Sequence, residues 1–160
     1  TGRRLLAFKP HFGLAAYLVV AAMEADISPL AVIRLIQFRT HGHHLQAKAD
    51  QWRNDGRRTP CRCGHLHEDP PHLFFECGAT TRQRAGVMEA LKEALQAVPG
   101  AAAAIDALPA ASVLARWVWL NGLLDARNED YRRALPAVLK AVTEFVRQVL
   151  AAHPLYQRRR

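Results

Sequence analysis

Apolar positions recur along this chain at helical spacing, interrupted by short polar or proline- and glycine-bearing breaks. The first run, GLAAYLVVAAM at residues 13 to 23, is apolar on every side and predicts a buried helix. Ser28 followed by Pro29 supplies an N-cap with proline at the first helical position, where the missing N–H costs nothing. Leu30, Ile33, Leu35, Ile36 and Phe38 then describe a largely buried helix with Arg34 and Arg39 on its edge and Gly42 as its expected stop. A shorter helix is expected from His44 to about Asn54, on Leu45, Ala49 and Trp52, before the turn-forming run NDGRRTP.

Farther along, Val87, Leu91, Ala94 and Leu95 lie on one face of a helix predicted over 80–98 and ended by Pro99 and Gly100. The run GAAAAIDALPA reads as a connector, although alanine also permits a helical turn. Residues 112 to 126 carry Leu114, Trp117, Val118, Leu120, Leu123 and Leu124, too apolar a set for exposure on most sides, so this helix is expected in the core. The last helix, over 129–152, places Leu135, Val138, Leu139, Val142, Phe145, Val146 and Val149 on one stripe, with Pro136 expected to kink or restart it. Few stretches alternate with a strand period, and no repeat of 20 to 50 residues is visible. The expected fold is therefore all-α, with little or no β-sheet and a small embedded metal knuckle. Its expected divisions are an N-terminal helical segment (1–55), the knuckle with its following helix (56–98) and a C-terminal helical segment (99–160) packed with the first as one domain.

With 160 residues, half of them apolar, the chain can bury a proper core. The formal charge of +8 raises the prospect of a polyanionic partner. That charge is local: residues 34 to 62 hold seven Lys or Arg against two acids, whereas residues 63 to 100 hold three against five. Arg3, Arg4 and Lys9 before the first apolar run resemble the start of a targeting segment, but its 11 residues are too few to span a bilayer. Glu24 and Asp26 follow without a small-residue cleavage pattern, so a buried helix in an excised fragment is expected, with no membrane partner.

The chemistry concentrates in CRCGHLHEDPPHLFFEC, residues 61 to 77, which contains all three cysteines. An odd, clustered set argues against a disulfide framework and for a reducing, intracellular setting. Three core cysteines lying near one another by chance would give the same letters, since free cysteine is a common small core residue. Zinc, however, favours four thiolate or imidazole ligands in a tetrahedron, and Cys61, Cys63, His72 and Cys77 supply them as C-x-C-x8-H-x4-C. Gly64 permits a sharp reversal after the first pair, and Asp69 is placed to cap a short helix with Pro70 or Pro71 in its first turn. That helix would carry His72 and deliver Cys77. His65 and His67 compete for the fourth position, but lie on a polar turn suited to solvent or phosphate. Four protein ligands leave no open coordination position, so one structural Zn2+ and no catalytic residue are expected, and neither is a small-molecule substrate.

These residues resemble a known family. CRCG, then E-D-x-x-H-L-F-F-E-C, then Arg82 and Arg84 opening a helix, is similar to the CCHC zinc-binding region near the C-terminus of non-LTR retrotransposon reverse transcriptases. The preceding LIQFRTHGHHLQAKADQWRND is similar to the segment those proteins place before the finger; Arg39 and Thr40 match, while His41 precedes Gly42 instead of following it. The resemblance covers about residues 30 to 95 and implies zinc ligation by the same four residues. It also implies a noncatalytic fragment that grips template RNA or target DNA, in the nucleus or cytoplasm, beside other domains of a parent polyprotein. From charge and position, Arg39, Lys48, Trp52, Arg53, Arg57, Arg58 and Arg62 are the candidate nucleic-acid contacts, the arginines for phosphates and Trp52 for stacking. The alternative is a metal-stabilised helical scaffold for protein–protein contact, for which the apolar stripe of the last helix would serve.

Overall fold

The computed structural model describes residues 16–39, 60–66, 68–125 and 129–153. Seven α-helices are found among them and no strand, as the apolar spacing predicts. The first two, α1 (Ala16–Glu24) and α2 (Pro29–Arg39), are joined by a tight turn. In it Ile27 N–H donates to Ala22 O, and Asp26 takes a left-handed φ of 52°, a conformation that aspartate tolerates better than most residues. Ser28 caps α2 as its sequence suggests, its Oγ accepting from Ala31 N–H at 3.3 Å. The helix expected over 44–54 and the stop expected at Gly42 lie outside the described residues.

After the knuckle come α3 (Pro70–Phe75), a 3-10 turn at Gly78–Thr80, and α4 (Thr81–Leu95). The alanine-rich connector is a helix, α5 (Ala101–Ala107), followed by a 3-10 turn at Leu108–Ala110. It is ordered by burial of Ala101, Ile105 and Leu108 against the core, with Gly100 at φ 75° making the corner that no β-carbon would favour. The chain then forms α6 (Val113–Asp125) and α7 (Glu129–Ala152).

Long α7 is the spine of the molecule. All seven apolar residues assigned to its stripe are buried, and α4, α2 and α1 each pack along it. It continues through Pro136 without restarting, because proline forfeits a single backbone bond while the buried stripe on both sides holds the helix to its neighbours. Phe145 sits at a junction of elements: its ring contacts Phe38 of α2 at 6.4 Å and Phe74 of α3 at 4.4 Å between centroids. The helix that carries His72 is therefore footed on the spine. No helix among the described residues is long and apolar enough to cross a membrane.

Helix α6 departs in part from its expected burial. Trp117, Leu120, Leu123 and Leu124 are in the core, with Trp117 edge-on to Phe38, but Leu114 and Val118 are 70% and 63% exposed. A helix that is apolar all round has more apolar surface than α3 and α7 together cover.

Candidate metal centre

The centre is built from two short pieces of backbone. The first is the turn at residues 61–65, closed by Gly64 N–H donating to Cys61 O and by Cys61 N–H donating to His65 O, both at 2.8 Å. Gly64 stands there at φ 89°, the reversal its position predicts. Folding the turn this way presents both thiols of C-x-C on the same side and brings amides close to sulfur: that of Cys63 to the Cys61 thiol, those of His65 and Gly78 to the Cys63 thiol.

The second piece is α3. Asp69 is its N-cap, the side-chain Oδ1 accepting from His72 N–H at 2.8 Å, and Pro70 occupies the first turn. The capping bond therefore fixes the backbone of the ligand histidine itself. At the other end, Glu76 and Cys77 N–H both donate to His72 O, a tight closure that swings Cys77 back toward the turn. Thr80 Oγ1 lies 2.6 Å from Leu73 O and 3.1 Å from Cys77 O, and Arg84 Nη1 donates to Cys77 O at 3.1 Å. The end of α3 is thus satisfied by side chains from the start of α4.

The donor atoms of Cys61, Cys63, His72 and Cys77 all lie within 4.8 Å of one another. Cys61 Sγ and Cys77 Sγ are 3.5 Å apart, and Cys63 Sγ and His72 Nε2 are 3.2 Å apart. Tetrahedral bonds of about 2.3 Å to sulfur and about 2.0 Å to nitrogen give edges of roughly 3.8 and 3.5 Å, so small outward adjustments would seat an ion at the centre. The four residues fit one metal ion.

The electrostatics suit that use. Burial pushes the His72 imidazole toward its neutral form, and the neighbouring His65 adds to this against the opposing pull of Asp69, Glu76 and Glu68. Neutral imidazole is the form that binds a metal. Burial raises the Cys61 thiol, the Cys63 amide lowers it, and the adjacent thiols raise it further, so the net displacement is strongly upward. At Cys63, which is exposed at the surface, desolvation opposes ionisation, but the amides of His65 and Gly78 and the other two thiols outweigh it. Cys61 thus resists carrying charge, a preference that a bound cation would reverse.

His65 stacks face to face on His72, with centroids 4.3 Å apart and rings within 15° of parallel. His65 does approach His72 and Glu76 as a second group, yet it is not among the four mutually close donors. It is exposed, as a turn residue should be, but its ring covers the ligand histidine besides meeting solvent. His67 lies outside the described residues.

Of the candidate nucleic-acid contacts, Lys48, Trp52, Arg53, Arg57 and Arg58 lie outside the described residues. Arg62 is exposed in the turn, and its Nη1 donates to Ala152 O at the end of α7, at 3.0 Å. Arg39 is half-buried, its Nε donating to Asn121 Oδ1 at 2.7 Å and tying α2 to α6. These two arginines are thus engaged with backbone and side chains of different helices. Sequence reasoning missed His153, whose Nε2 lies 2.6 Å from Glu68 Oε1 with both side chains 3% exposed. The partners are 85 residues apart, and neither periodicity nor a motif links them.

Fold and site together define an all-α protein with a Cys3His cluster able to hold one metal ion. No protein family model, curated protein or solved structure matches the chain.

Proposed function

We propose that this chain is a noncatalytic, intracellular nucleic-acid-binding module organised by one structural zinc ion. The observation that carries the zinc reading is the convergence of three thiols and one imidazole within 4.8 Å on a turn and a capped helix. That donor set is soft, it fills a tetrahedron, and it leaves no position for an activated water, which favours a structural ion over a catalytic one. The nucleic-acid reading is supported by the net charge of +8, by the arginines in the segment preceding the turn, and by the likeness of CRCG through HLFFEC to the finger of non-LTR retrotransposon reverse transcriptases. On this reading zinc sets the geometry and the basic neighbour supplies the affinity, within a larger polyprotein.

The test is binding of single-stranded RNA and of duplex DNA over a salt series. The parent protein should bind with affinity that falls steeply as salt rises, and R57A/R58A should weaken binding to every sequence alike and flatten the slope by about two. Salt-independent binding, or a double variant as tight as the parent at low salt, refutes the basic segment as the contact surface.

A second reading, a scaffold for protein–protein contact, is favoured by one observation: Leu114 and Val118 stand exposed one turn apart on α6. L114S/V118S would abolish partner capture under that reading and leave nucleic-acid binding untouched.

A further inference from the structure

We infer that Glu68 and His153, with Arg62, form a latch between the metal-binding loop and the end of the spine helix, so that holding the metal and docking the C-terminus of α7 reinforce each other. This rests on the zinc reading above. Glu68 lies between the two halves of the donor set, five residues after Cys63 and four before His72. It is 2% exposed, and its carboxylate meets His153 Nε2 at 2.6 Å, one residue past the last turn of α7. His153 is held in turn by its own N–H, which donates to Leu150 O at 3.1 Å. From within the turn, Arg62 Nη1 donates to Ala152 O at 3.0 Å, occupying one of the carbonyls that a helix end leaves without an internal partner.

Two contacts from one loop therefore converge on two consecutive residues of a distant helix end. Between Cys63 and Asp69 the loop has no regular structure among its described residues, so its path depends on such anchors. Glutamate and histidine buried together are costly when either is left alone, which makes the joint conformation the favoured one. A metal ion that fixes Cys61, Cys63 and His72 also fixes where Glu68 and Arg62 emerge. By thermodynamic reciprocity, an anchored Glu68 and Arg62 must favour metal binding by the same factor. Glu68 and His153 are positioning residues: neither belongs to the four mutually close donors, and they act through the loop.

The latch is tested by measuring the zinc dissociation constant of the full chain against a competing chelator. His153→Ala and Glu68→Ala should each weaken zinc binding on the order of tenfold or more, as loss of outer-sphere support does at other metal centres. The double variant should be no weaker than the worse single one, because both remove the same contact. His153→Gln, which retains a donor for Glu68, should recover part of the loss and guards against misfolding of the alanine variant. Leu135→Ala removes a buried side chain about 27 Å away along the same helix and should leave the zinc constant within about twofold of the parent. Variants that bind zinc as tightly as the parent, additive losses in the double variant, or an equal loss in Leu135→Ala would each overturn the latch. A parent protein that binds no zinc would instead overturn the zinc reading itself, and the latch with it.

Discussion

His72 shows how much a single residue owes to its immediate neighbours. Asp69 holds its backbone, Cys77 N–H closes on its carbonyl, His65 covers its ring, and burial favours the neutral imidazole. Most of this was legible in the sequence: Asp69 before two prolines marks a helix start, and x4 spacing to cysteine brings both ligands to one side. The stacking of His65 was not, because ring orientation depends on how the turn closes and not on spacing. At Gly64 the positive φ of 89° is the turn's one backbone requirement, and a β-carbon there would meet nothing within 4 Å. Gly64→Ala should therefore cost roughly 1–2 kcal/mol of stability through backbone strain alone, measurable by denaturant titration. A cost near zero would mean the turn relaxes into another conformation. Cys63→Ser should be far more severe, since ligand binding supplies folding energy in small sites: metal content should fall to background, and amide exchange protection should be lost from residues 61 to 80 and weakened in the last turn of α7, while the rest of α7 keeps its own.

Among the elements, a strong one-sided stripe revealed both the helix and its buried face, whereas without one either the helix or the extent of its burial was missed in places. Helix α7 spans the residues expected, because seven buried apolar positions fix its register over 24 residues. The connector 100–110 was the opposite case. Its alanines carry no periodic signal, and only contact with the core through Ile105 and Leu108 reveals it as α5. For α6, composition predicted burial, but composition counts apolar residues without saying how many neighbours are available to cover them. Leu114 and Val118 were left over. The contact between α2, α3 and α7 at Phe145 was likewise beyond sequence, as it joins residues from three separate stretches. Phe145→Ala should remove about 3–5 kcal/mol, lowering the melting temperature by about 10 °C. Because Phe74 loses a partner as well, the variant should also loosen α3 and speed metal release in a chelator assay. Wild-type release kinetics in a destabilised variant would show that α3 stands independently of the spine.

At the scale of the molecule, one buried cluster includes Cys61 and Cys77 together with residues of every described helix. A local ligand set has in this way become part of a global core. The sequence made the donor set and the helical class legible because both are written in short-range spacing. It concealed the Glu68–His153 and Arg62–Ala152 contacts, which span 85 and 90 residues. The charge asymmetry places the basic stretch before the turn in sequence, and the proposed function assigns phosphate contact to it. The proposed function depends on an ion held by Cys61, Cys63, His72 and Cys77. X-ray absorption at the zinc edge of protein purified without chelator tests that dependence most directly. The account predicts one zinc per chain with three sulfur neighbours at about 2.3 Å and one nitrogen at about 2.0 Å. Absence of zinc, or a shell containing oxygen in place of sulfur, would contradict it.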